Sequence, residues 1–163
     1  GEAFLMSPAP LVEHQEVAGE VYYQLRNQLD GQPCRPYIAP VDVRLPRKDE
    51  ADAAIDTVVQ PDILVVCDPR KIDRRGVRGA PDWVLEVLSP STAAHDQIAK
   101  RRTYERAGVR EYWLVDPENR TFSVFTLERP NYIERTQPEG RVQSDVLDGF
   151  EIDLERLFRA PAG

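Results

Sequence analysis

A chain of 163 residues, 41% hydrophobic and 30% charged, has the size of one domain able to bury a core and the composition of a soluble globular protein. No apolar run is long enough to cross a membrane and no secretory signal is visible. Cys34 and Cys67 stand far apart without metal-ligand spacing, so no disulfide framework is expected and a reducing cytoplasm is the expected setting. The net charge of −7 argues against general affinity for nucleic acid, because backbone binding depends on Lys and Arg that release counterions, unless the cations are gathered in one place. The chain opens at Gly1 rather than Met, and a preceding segment is expected.

From about Leu11 to Leu29 the pattern is helical, with Val17, Val21, Leu25 and Gln28 or Leu29 on one stripe and His14 one turn before Val17. His14 therefore points to the core or to a cleft edge. Glu20 lies in the same helix. Asp30-Gly31-Gln32-Pro33 ends it. Tyr37 to Leu45 reads as a strand with Pro40 near its start, and Asp49 to Asp56 as an exposed acidic turn. Val58 to Cys67 is a second apolar strand, carrying Asp62. The Gly-containing loop from Asp68 to Gly79 holds Arg70, Lys71, Arg74, Arg75 and Arg78, the densest basic cluster in the chain.

Trp83 to Leu88 is a continuous apolar run of strand length, interrupted only by Glu86 and stopped by Ser89-Pro90. A carboxylate there must be compensated, since removing an ionised group from water costs several kcal/mol without a partner. A helix from about Thr92 to Gly108 follows, capped by Ser91 or Thr92, with Asp96, Lys100 and Tyr104 at i,i+4 spacing on one face. Lys100, Arg101, Arg102 and Arg106 give it a second basic cluster. Glu111 to Asp116 and Thr121 to Leu127 form a hairpin around Asn119-Arg120, with Trp113, Phe122 and Val124 as core. A short strand near Tyr132, a polar turn through Gly140 and a helical turn from Leu154 to Phe158 close the chain. The expected architecture is α/β, a central mixed sheet flanked by helices. If the strands carrying Asp62 and Glu86 are neighbours, their carboxylates converge, and hard divalent cations are the usual reason for such convergence. An arginine partner for Glu86, a turn role for Asp62 and an exposed Asp96–Lys100 pair are the competing structural readings.

Several phrases occur together and in order: Gln60-Pro61-Asp62-Ile63; Gly79-Ala80-Pro81-Asp82 leading into Leu85-Glu86-Val87-Leu88-Ser89-Pro90-Ser91-Thr92; Asp96 with Lys100; and Tyr104 through Gly108-Val109 to Glu111-Tyr112-Trp113-Leu114-Val115-Asp116-Pro117. With Met6-Ser7-Pro8 and His14 upstream, the chain resembles the Uma-two family of restriction endonucleases within the PD-(D/E)xK nuclease superfamily. The resemblance implies a restriction-endonuclease-like domain over the whole chain that cuts nucleic acid, with duplex DNA the expected substrate and no membrane partner. It also implies that Asp62, Glu86 and the backbone carbonyl of Val87 hold Mg²⁺ or Mn²⁺, with Lys100 as the basic residue and His14 at the cleft. Arg70, Lys71, Arg74, Arg75 and Arg78 are the expected phosphate contacts. The sequence departs from the superfamily pattern at Leu88, where the strand would carry its lysine; related branches move it to the next helix, which Lys100 fits. Nucleases of this kind often cut two strands as homodimers, and no stretch of the sequence marks an interface. The competing reading is a non-catalytic nucleic-acid-binding or regulatory protein of the same fold, which the acidic net charge and the absent strand lysine favour.

Overall fold

The structure, a computed structural model, describes residues 10–90, 94–136 and 140–159. Prolines cut two of the expected strands. Helix α1 (Val12–Gln28) is followed by β1 (Arg35–Ile38) and β2 (Val43–Arg44), which lie in different sheets, where one strand from Tyr37 to Leu45 was expected. Pro40 separates them, since it has no N–H to offer a ladder. Likewise the run from Val58 divides at Pro61 into β3 (Val58–Val59) and β4 (Ile63–Val66), with a single helical turn at Asp52–Ala54 before it.

The basic stretch is not an open loop. It holds a turn at Pro69–Lys71 and a hairpin of β5 (Ile72–Asp73) and β6 (Gly76–Arg78). At its tip, Gly76 has φ 120°, and a Cβ there would lie 2.2 Å from the Asp42 carbonyl oxygen. Only glycine lets the hairpin seat against that backbone, where Val77 N–H donates to Asp42 at 2.9 Å.

β7 (Trp83–Val87), α2 (Ala94–Ala107), β8 (Glu111–Asp116), β9 (Thr121–Glu128), β10 (Asn131–Thr136), β11 (Arg141–Gln143), β12 (Glu151–Asp153) and α3 (Leu154–Leu157) complete the order. The expected Ser91 or Thr92 cap of α2 lies outside the described residues. A six-stranded sheet runs β1-β4-β7-β8-β9-β10. Only β7 and β8 are parallel within it, and α2 is the crossover that a parallel pair needs. A four-stranded sheet, β3-β2-β6-β5, and the β11-β12 pair, neither legible in the sequence, flank it.

Both faces of the large sheet are buried, which explains the unbroken apolar runs. On one face Ile63, Val65, Trp83, Leu85, Trp113 and Val124 pack with Val17, Val21 and Leu25 of α1 and with Phe150, Ile152 and Leu157. Trp113 anchors this side, with its ring centroid 5.0 Å from Trp83 and 5.2 Å from Phe122, both edge-on. On the other face Leu64, Val66, Val84, Tyr112 and Phe125 pack with Tyr104 of α2 and with Val43, Leu45 and Val77 of the smaller sheet. The alternation of strand side chains thus sends 84 and 86 toward α2 and 83, 85 and 87 toward α1.

Cys34 and Cys67 form a disulfide with Cα atoms 3.9 Å apart, which corrects the expectation of two separate thiols. The cause is register: Arg35 pairs with Val66, so the next step outward sets Cys34 opposite Cys67, a proximity that spacing in sequence cannot reveal.

Glu111 is fully buried at the start of β8, where burial pushes its carboxyl above the usual range. It accepts the Ser144 hydroxyl and the Asp145 N–H, the latter at 3.2 Å, tying the turn after β11 to the sheet. Glu111→Ala leaves both donors unpaired and is expected to cost about 1–3 kcal/mol in urea unfolding. A change within the roughly 0.5 kcal/mol of an ordinary surface substitution would show that this tie contributes nothing.

Candidate active site

The pairing of β4 with β7 creates the site. Ile63 is opposite Leu85, so one residue further along, Asp62 stands across from Glu86, at the end of the sheet where β7 finishes. Asp62 Oδ2 accepts the Val87 N–H at 2.8 Å and lies 3.3 Å from His14 Nε2. Burial works against its charge, but His14 and the Val87 N–H outweigh it and hold the carboxyl below the usual range. His14 responds in the opposite sense: its bond to Asp62 raises its pKa against the effect of burial, with Glu86 and the Val87 backbone adding to the rise.

Glu86 is the buried member, its side chain only 6% exposed. Burial first, and the negative charge of Asp62 second, push its carboxyl up to about 7, with Lys100 and Tyr104 opposing the shift. The Tyr104 hydroxyl donates to Glu86 Oε1 at 2.6 Å, and Lys100 Nζ stands 3.5 Å from Oε2, its side chain half exposed. Lys100 and Tyr104 are one turn apart on α2, which brings an ammonium and a phenol to one carboxylate from the same helix face. Asp96, on that stripe, does not join them; it is exposed and lies 3.6 Å from His95.

Asp62, Glu86, Lys100, His14 and the Val87 backbone are therefore gathered at one end of the sheet. Glu20 is elsewhere, 3.0 Å from Arg156 and bonded to Gln24. Tyr104 carries no site role in the sequence reading, although its i,i+4 alignment with Lys100 is the signal that could have assigned one. A cleft of about 320 Å³ opens beside His14, between the start of α1 and the ends of β7 and β8, and includes Glu13, Gln97 and Asp116.

Four of the five basic side chains of residues 70–78 have partners within the fold. Arg70 pairs with Asp68 at 2.9 Å, and Lys71 Nζ donates to the Ala80 carbonyl at 2.7 Å. Arg75 lies 3.7 Å from Asp52, and Arg78 bonds Asp52 at 2.6 Å and the Glu50 carbonyl at 2.7 Å. Arg74 alone of the five has no partner among the described residues.

The donors suit a hard divalent ion. Mg²⁺ is held through one or two carboxylates and keeps several waters, which matches two acids side by side better than a closed cage. Among the described residues no group of three or more His, Cys, Asp or Glu is arranged to hold an ion unaided. His14 Nδ1 is a buried nitrogen without a hydrogen-bond partner among the described residues, so the polar capacity of this corner is not used up by the fold itself.

The architecture is shared with a solved structure: a putative nuclease belonging to DUF820 from Anabaena variabilis superposes with a TM-score of 0.71 at 20% identity, over 94% of this chain and 84% of that one. The fold is thus that of a described nuclease candidate. The chain belongs to the Uma2 family, described as "Putative restriction endonuclease", whose model matches residues 1–155. It is also 45% identical over 58 residues to the uncharacterized protein slr1290 of Synechocystis sp., a match covering 34% of this chain. That match spans 30% of the relative's own length. The family's description names a restriction endonuclease, and the structural likeness establishes the fold. No helix among the described residues is long and apolar enough to cross a membrane.

Proposed function

We propose that the chain is a Mg²⁺-dependent endonuclease hydrolysing phosphodiester bonds of duplex DNA, with Mn²⁺ able to replace Mg²⁺. One observation carries this reading: Asp62 and Glu86, from adjacent strands, meet with Lys100 3.5 Å from the second acid. Asp62, Glu86 and the Val87 carbonyl would hold the ion. A divalent ion there supplies an acidified water and a clamp for phosphate oxygens.

The chain's own groups do the rest. The Val87 N–H and His14 fix the orientation of Asp62. Tyr104 fixes one oxygen of Glu86 and leaves the other turned to Lys100. Lys100 is the half-exposed member of the group, so its ammonium can meet an incoming phosphate and stabilise negative charge as it develops. Cutting both strands would take two such sites, hence a homodimer on DNA.

The absence of a lysine at Leu88 favoured a non-catalytic protein of the same fold, but the contact of Lys100 with Glu86 weakens that objection. Calorimetric titration with Mg²⁺ and Mn²⁺ separates the two. Wild type is expected to bind one ion, and Asp62→Ala and Glu86→Gln to lose it. Tyr104→Phe, which removes the hydroxyl holding Glu86, is expected to weaken binding by about 10–100-fold. Equal heats for wild type and Asp62→Ala would place any ion elsewhere and sink the reading.

A further inference from the structure

A groove of about 350 Å³ lies between α2 and the segment that follows β2, bordered by Arg47, Lys48, Thr57, Thr103 and Arg106. No carboxylate lines it, whereas the other four clefts seen among the described residues each contain at least one. In a chain of net charge −7 that composition is not the background. Lys48, Arg102 and Arg106 are exposed and have no carboxylate partner among the described residues. Arg47 is 3.3 Å from Asp56, but both side chains are more than half exposed, and such a pair is worth little and is readily exchanged. Lys48 also holds φ 56°, in the left-handed region that favours glycine, so a lysine stands here at a local cost.

The groove and the acid pair share one helix, α2. Lys100, Thr103 and Arg106 follow one another at i,i+3 spacing on α2, each about 60° further round the helix and together spanning about 9 Å of its axis. Tyr104, next to Thr103, is the residue bonded to Glu86.

We propose that this groove binds the phosphate backbone of the nucleic acid and leads it to Asp62 and Glu86, with Lys48 and Arg106 as its principal contacts. The identity of the ligand rests on the nuclease reading. The groove is the main electrostatic footprint because no carboxylate lines it, whereas Asp52 and Asp68 stand among the cations of residues 70–78.

The test is fluorescence anisotropy with two unrelated labelled duplexes over a salt series, in EDTA so that nothing is cut. Lys48→Ala/Arg106→Ala is expected to weaken binding equally on both duplexes and to flatten the slope of log K against log salt by up to roughly 1.8, about 0.9 for each phosphate that is no longer neutralised. Arg74→Ala/Arg75→Ala is expected to change the slope by no more than about half as much. Lys48→Glu/Arg106→Glu should abolish binding at moderate salt, while all three variants melt like wild type. An unchanged slope in the groove variants, a loss confined to one duplex, or a wild type that fails to bind at low salt would each overturn the proposal. The nuclease reading is judged separately by Mg²⁺-dependent nicking. A slope effect without nicking would leave the groove standing and remove the catalytic assignment; nicking without a slope effect would do the reverse.

Discussion

Lys100→Ala is expected to lower plasmid cleavage by about 10²–10³-fold, the scale of removing one preorganised charge-stabilising donor, with no loss of fold. The fold should survive because residues 94–100 of α2 are mostly exposed and the side chain is 47% accessible, so little packing is lost. The activity should fall because Nζ, 3.5 Å from Glu86 Oε2, is the only ammonium or guanidinium within 4 Å of either acid among the described residues. Lys100→Arg should recover part of the rate, since it keeps the charge but offers a planar fork in place of a compact ammonium. A mutant with wild-type turnover would return Lys100 to the status of a surface residue. Unchanged turnover with weaker Mg²⁺ binding would instead make it a charge balance for Glu86.

The meeting of Asp62 and Glu86 in the candidate site was legible in the sequence for a physical reason. An acid inside an apolar strand has to be compensated, so Glu86 announced a partner, and Asp62 at the head of the neighbouring apolar run was the natural second group. Their convergence needed only that β4 and β7 be adjacent, which the register of Ile63 with Leu85 provides. Helical spacing put Lys100 on the face shared with Asp96 and Tyr104, and the α1 stripe left His14 between core and cleft; their site roles came from the family resemblance. The α/β architecture followed from the same runs of strand and helix periodicity.

What could not be read depends on contacts between distant segments. The disulfide needs the β1-β4 register. The β5-β6 hairpin read as a loop of cations available to phosphate because they dominate its composition, while Asp52, which pairs Arg75 and Arg78, comes from a turn before β3. Tyr104 read as one member of a helix face, because nothing local shows that its hydroxyl ends on Glu86. The cation groove joins Lys48, which stands in no basic cluster, to Arg106 of the α2 cluster, and only packing brings the two together. Pro40 and Pro61 were visible, but their effect was underestimated: each divides a run between two sheets.

The central claim is that the Asp62–Glu86 pair drives metal-dependent cleavage of DNA, and conversion of supercoiled plasmid to open circles tests it most directly. Asp62→Asn is the informative variant beside Asp62→Ala, because an amide oxygen can still accept the Val87 N–H that Asp62 accepts at 2.8 Å, keeping the local backbone while removing the charge. Wild type is expected to nick in Mg²⁺ or Mn²⁺ and to stop in EDTA. Both variants are expected to lose more than about 10²-fold, at least the loss seen when a single stabilising group is removed from a site. A wild type that leaves the plasmid supercoiled in both metals, or an Asp62→Asn protein that nicks as fast as wild type, would contradict the account.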